Sequence, residues 1–152
     1  MGGDRRGGRV PPDRGRLGLL ADGTAWCAWS QGGGGVALFP PAWKARDTPP
    51  VVLRFGNALG AVVVSANRRH LVVSSPTDGV SRVDGDGVRP LGLAAEQLAV
   101  ADDGRVAAGT GSVLRWTDAE GHLAGERDLG VRIHRLAVVD GFVAAAIGGG
   151  WA

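Results

Sequence analysis

The 152-residue chain has a single cysteine, Cys27. One thiol excludes an internal disulfide framework and any zinc site built on paired cysteines. Such a chain gains nothing from an oxidising compartment. Tyr is absent, Met occurs once and aromatic residues make up 5% of the chain. Lysine is nearly missing, since Lys44 is the only one among 17 basic residues. Ile (Ile133, Ile147) and Asn (Asn57, Asn67) are equally scarce. These residues share AT-rich codons, so the shortage marks GC-rich coding DNA, not an Arg-based chemistry. Long apolar runs are missing too. The stretch 136–152 is broken by Asp140 and carries four glycines, and a spanning helix needs ~20 apolar residues. The Arg-rich start leads only into the short run Leu17–Ala21, so no secretory signal is read. The expectation is a cytoplasmic protein with no membrane partner.

Charge is unevenly placed. Residues 1–16 hold five Arg against two Asp, a balance of +3, which leaves −1 for the rest of a chain whose net charge is +2. A nucleic-acid reader clusters Lys and Arg on its folded body. Here the excess belongs to the leader, so nucleic acid is an unlikely partner. Residues 1–16, rich in Arg and Gly with Pro11 and Pro12, read as a disordered leader and 17–152 as the folded part.

Glycine is what the chain has in excess: 27 of 152 residues, against a usual share of about 7%. Each glycine costs roughly 1 kcal/mol inside a helix, so a helical bundle is excluded and short strands with tight turns are favoured. Those strands repeat. The segments LGLLADGTAWCAWSQGGGGVALF (17–39), VVVSANRRHLVVSSPTDGVSRVD (62–84) and LAVADDGRVAAGTGSVLRWTD (98–118) share one pattern, and LAVVDGFVAAAIGGGWA (136–152) begins a fourth copy. Each runs apolar stretch, polar turn, apolar stretch, Gly-containing turn. First-turn positions Arg68, Gly104 and Gly141 are 36 and 37 residues apart, while Gly23 to Arg68 is 45, which fits an insertion at Pro40–Pro50. A period near 37 with three or four strands per unit indicates propeller blades.

Strand chemistry agrees. Inner strands buried on both faces should be continuous small apolar runs, as in Ala61–Val64, Leu98–Ala101, Val106–Ala108, Leu136–Val139 and Val143–Ile147. Val80–Asp84, Val113–Asp118 and His122–Asp128 are more polar and read as outer strands. Asp22-Gly23, Asp78-Gly79, Asp103-Gly104 and Asp140-Gly141 are hairpin dipeptides.

Residues 96–118, EQLAVADDGRVAAGTGSVLRWTD, resemble a blade of the WD-repeat family or of related bacterial β-propellers. Asp103-Gly104 matches the family's first hairpin turn, and Val113–Trp116 its third strand. The pattern departs where Thr117 separates Trp116 from Asp118, and no Gly-His dipeptide lies upstream. The fold expected is all-β, an incomplete propeller of four-stranded antiparallel blades, with a β-sandwich as the alternative. The copies begin near 17, 59, 96 and 134 and make about 3.5 blades, while closed rings need roughly 4–8. The missing blades would come from a second copy, from another protein or from a longer chain.

Candidate sites are few. Asp84-Gly85-Asp86-Gly87 starts like a calcium loop, but the twelfth position is Ala95 and not Glu, so a hairpin is the better reading. Gly32–Gly35 and Gly148–Gly150 lack the Lys-Ser/Thr of a phosphate loop. His70, His122 and His134 lack ligand spacing. Cys27 lies in an apolar run between Trp26 and Trp29, as an inert thiol would. Three residues apart, Trp26 and Trp29 point to opposite faces of a strand. Trp43, in the Pro-rich insertion, is a candidate partner contact, because Trp is enriched at interface hot spots. Arg82 and Arg115 occupy matching places in their copies and read as solvated positions on outer strands. The family resemblance implies partner-facing loops at Thr77, Asp78, Glu96, Arg132 and His134.

No catalytic residue, metal or cofactor is assigned. The function expected is a noncatalytic protein-interaction or scaffold module, engaging a protein partner or a second copy that completes the ring. The alternatives are a propeller-type enzyme or enzyme fragment, hydrolase or lyase, and a truncated, nonfunctional propeller piece.

Overall fold

Short apolar runs separated by glycine turns fold into strands, and each strand pairs with the next in sequence. The computed structural model describes residues 16–30, 33–41, 43, 49–55, 59–84, 87–139, 142–147 and 150–151. Residues 1–15 of the expected leader, Gly32, Gly85-Asp86, the Asp140-Gly141 turn and Gly148-Gly149 lie outside them.

Among the described residues the regular structure is entirely β, in four antiparallel sheets. Sheet 1 is β1 (Arg16–Leu19), β2 (Ala25–Trp29), β3 (Gly35–Phe39) and β4 (Val51–Arg54). Its first strand takes in Arg16, the last residue of the expected leader. Sheet 2 is β5 (Ala61–Val64), β6 (Leu71–Ser75), β7 (Gly79–Asp84) and β8 (Gly87–Pro90). Sheet 3 is β9 (Gln97–Val100), β10 (Val106–Thr110), β11 (Val113–Thr117) and β12 (Leu123–Asp128). Sheet 4 has three strands, β13 (Ile133–Val139), β14 (Phe142–Ile147) and the two-residue β15 (Gly150–Trp151). Within every sheet the spatial order is the chain order.

Two outer strands differ from expectation: Val113–Thr117 is the third strand of sheet 3, inside Leu123–Asp128, and sheet 2 shows the same shift. Val80–Asp84 is the third strand of its sheet, and its Val80, Ser81, Arg82 and Val83 are buried. The outer strand there is Gly87–Pro90, too short and Pro-ended to stand out by composition. Asp84 pairs with Gly87 across the expected hairpin.

Sheets pack face to face through three apolar clusters. Trp26, Ala28, Val36 and Leu38 of sheet 1 meet Leu71, Val73 and Val83 of sheet 2. Val72 and Val80 of sheet 2 meet Leu98, Val106 and Ala108 of sheet 3. Ala99, Ala107 and Leu114 of sheet 3 meet Ile133 and Ala145 of sheet 4. Burying each large aliphatic side chain stabilises by about 1.5–3 kcal/mol. The first strands β5, β9 and β13 lie side by side, so sheets 2, 3 and 4 radiate from a common axis with their first strands inward.

Among the described residues three cross-strand rings explain some of the glycine, and in one of them Trp26 lies against its register partner Gly18. Trp29 lies over Gly35, its register partner, and Trp116 over Gly125. A Cβ at either glycine would overlap the indole. Trp26 faces sheet 2 while Trp29 lies on the opposite face, as the spacing of three requires.

Candidate functional site

The two ends of the array are built differently. At one end lie the first turns of each sheet, with the connections between third and fourth strands. In sheets 1 and 3 the first turn closes with a glycine at positive φ, Gly23 (φ 90) and Gly104 (φ 97). Their N–H groups donate to Leu20 and Ala101 carbonyls at 3.0 Å. In sheet 2 Arg68 takes that place at φ 61, with its N–H on Ser65 O at 2.8 Å.

These turns are stapled across sheets. Ala21 N–H donates to Arg68 O at 2.8 Å. Asn67 donates its N–H to Asp102 Oδ1 at 2.8 Å and its Nδ2–H to Asp102 O at 3.0 Å. His70 Nε2 is 3.1 Å from the same carbonyl, which fixes Nε2 as the protonated nitrogen if it bonds there. Arg82 is 7% exposed and reaches from sheet 2 into sheet 3. It donates to Gly104 O and, at 3.4 Å, to Ala119 O. Burial, and then the nearby positive Arg89, push its guanidinium below the ordinary value. The expectation of a solvated Arg82 is therefore corrected. So is its match with Arg115. Arg82 opposes Val72 where Trp116 opposes Ala107, so Arg82 stands in the place of Trp116. Arg115 is partly exposed and pairs within its own sheet with Glu126 at 2.5 Å.

Two hollows open between the sheets. One, of about 830 Å³, lies among sheets 2, 3 and 4, with Val63, Ala99, Trp116, Leu136 and Val138 in its wall and Asp103, Arg105 and Arg127 also lining it. The other, of about 580 Å³, lies between sheets 1 and 2 under Pro40, Pro41 and Pro49, beside Arg68, Arg69 and Asp84. At this end the Asp118 carboxylate accepts N–H bonds from His122 (2.9 Å) and Glu120 (3.0 Å). The His122 amide does most to hold the carboxyl below its ordinary range.

The opposite end holds the second turns and the sheet-to-sheet connections. Five of the six expected contact residues gather here. Glu96 Oε1 accepts the Gly111 N–H at 2.9 Å and lies 3.9 Å from Arg132 Nη2. Ile133 N–H donates to Gly111 O at 2.8 Å, so one turn of sheet 3 ties both connections together. Thr77 and Asp78 are exposed on the neighbouring turn of sheet 2, where Asp78 N–H donates to Ser75 Oγ at 2.9 Å. That turn is pressed onto the next connection, because Val80 N–H donates to Leu93 O at 2.7 Å. His134 is exposed at the start of β13. The sixth, Trp43, is 75% exposed but lies between β3 and β4, so the structure places it at the other end. At this end the Asp128 carboxyl is held low, first by Ser112 Oγ–H at 2.7 Å and then by the Gly130 N–H.

Among the described residues no three His, Cys, Asp or Glu side chains are placed to hold a metal ion, and no helix is long and apolar enough to cross a membrane. No protein-family model and no curated protein matches the chain. A solved structure does: the WD40 domain of Neurospora crassa Pan2 overlays 90% of this chain at a TM-score of 0.56 and 11% identity. The fold is an incomplete β-propeller. Sheets 1–4 are blades 1–4, and the chain spans 46% of the WD40 domain it matches. What the sequence left unread is the stapling of blade turns. Its signals, Asn67, His70 and Arg82 facing Asp102 and Gly104, are 22 to 35 residues from their partners.

Proposed function

We propose that the chain is a noncatalytic protein-interaction module that engages a protein partner through its second-turn end, at Thr77, Asp78, Glu96, Arg132 and His134. The observation that carries the reading is the Gly111 turn, which holds Glu96 and Arg132 together on a rigid rim. Loops fixed by a packed scaffold lose little freedom on binding, which favours affinity. The WD40-like architecture supports an interaction module in general. Charge pairs on such a rim steer and select partners more than they add affinity.

The test uses exposed positions. Protein carrying Thr77→Glu and His134→Glu is compared with wild type in cross-linked capture from the source cells. The captured partner is then purified and titrated calorimetrically against both. The expected result is binding weakened at least about tenfold, a loss of ~1.4 kcal/mol, with unchanged circular dichroism. Equal affinity for both proteins rejects this rim as the contact surface.

A further inference from the structure

Each blade aims a pair of inner-strand side chains at the blade before it. In blade 2 the pair is Val62 and Val64, packed on blade 1. In blade 3 Leu98 and Val100 pack on blade 2. In blade 4 Leu136 and Val138 pack on blade 3. The register places Leu17 and Leu19 in the same role in blade 1, opposite Cys27 and Ala25. They are 79% and 55% exposed. The same face carries Phe39 of β3 and Val52 of β4, 42% and 51% exposed, with the buried Ala37 (4% exposed) between them. Isolated exposed apolar residues are ordinary, but a contiguous sheet face of them marks an interface.

The row that receives such a pair differs between junctions: it holds Trp26 and Leu38 in blade 1, Val72 and Val80 in blade 2, and alanines in blade 3. Ala99 and its partner Ala107 receive Leu136 and Val138. The strand alternation of blade 4 places Ala137 on the face away from blade 3, and its register partner is Ala144. Ala137 thus stands in blade 4 where Ala99 stands in blade 3. The matched WD40 domain is about twice the length that this chain covers.

We propose that two copies of this chain close one propeller, the Leu17/Leu19 face of each copy packing on the Ala137 face of the other. Two four-unit halves stay within the 4–8 blades that propellers close with. A head-to-tail contact makes a ring when its rotation closes, and the radial set of the blades supplies that rotation. A blade face of four strands is roughly 19 Å by 16 Å, about 300 Å². Sheet 4 has three strands among the described residues, the last of two residues, so the two junctions cover somewhat less than about 1,000 Å² in all, the size of a weak, concentration-dependent contact. This closure is independent of which partner the loop rim engages.

Light scattering on the eluting full chain, across a concentration series, reads the mass directly. The expected result is a species at twice 15.5 kDa. Leu17→Glu combined with Leu19→Glu should halve that mass with unchanged circular dichroism. Cys27 offers a reading that needs no variant, because it lies opposite Leu17 on the same face and is the only thiol. Its alkylation should slow as the chain concentration rises and the face is covered. A 15.5 kDa monomer at every concentration overturns the proposal. So does a dimer whose mass and Cys27 alkylation ignore the two leucines, since it would use another surface. A ladder of ever larger species overturns closure as well, because it shows an open chain of head-to-tail contacts.

Discussion

Arg82 replaces, in blade 2, the apolar side chain that blades 1 and 3 place at the same register position, Leu38 and Trp116. Its guanidinium works in two ways there. It fills the wedge between blades, and it caps the carbonyls of Gly104 and Ala119. The two roles are separable by substitution. Arg82→Ala removes both the volume and the donors and should cost about 2–4 kcal/mol. Arg82→Met keeps most of the volume, and Nε makes no hydrogen bond that would be lost. It should cost only about 1 kcal/mol, in line with the small difference between buried polar groups and well-packed apolar ones. Urea unfolding of the three proteins measures both values. Equal losses in Met and Ala would show that carbonyl capping dominates. The same residue marks a limit of reading repeats by eye. Aligning Arg with Arg slips the register by one, and a slip of one residue exchanges the two faces of a strand. Arg82 and Arg115 therefore looked alike in sequence, yet one faces the next blade and the other lies on an opposite, partly wet row.

At the scale of the element, the hairpins were legible because their turn chemistry is local. Asp22-Gly23 and Asp103-Gly104 encode a positive-φ residue that glycine supplies without strain. Arg68 shows the same turn made without glycine, which the pattern alone located only by counting residues. Strand β8 was not legible, since four residues ending in Pro90 carry almost no periodic signal. Glycine inside strands had a meaning that only the cross-strand partner reveals. Gly125 leaves the space that the Trp116 indole occupies. Gly125→Ala would force that ring off its rotamer and should destabilise the protein by about 1–3 kcal/mol. The check is a lowered unfolding midpoint together with an altered near-ultraviolet dichroism band. Unchanged dichroism would mean that the ring does not sit over the glycine. The tolerance of the fold to an aromatic here is a property of the β11–β12 pair and not of either residue alone.

At the scale of the whole molecule, the period near 37 residues disclosed the architecture because each blade pairs only within itself and packs only on its neighbours. A fold of this kind is close to one-dimensional, and its stability is a sum of units and interfaces. The turn-stapling network was not disclosed, because contacts between blades join residues with no local signature. One consequence is measurable by hydrogen exchange. Strands β6 and β10 are central in their sheets, and Leu71, Val72, Val73, Val106, Ala107 and Ala108 are at most 1% exposed. They lose their pairing only when neighbouring blades open too, so their amides should exchange most slowly, near the global unfolding limit. The amides of β1 and β12 lie at sheet edges, with Leu17 and Leu123 largely exposed, and should exchange fastest. Raising the chain concentration separates the two sets further. Ring closure by a second copy covers blade 1 and blade 4, so protection in β1 to β4 and in β13 to β14 should grow with concentration. Protection in β12, which no ring contact covers, should stay constant. Exchange in blade 1 that is independent of concentration would mean that its apolar face stays uncovered in solution. In that state the array opens from blade 1, and the order of protection runs from β1 inward to β10.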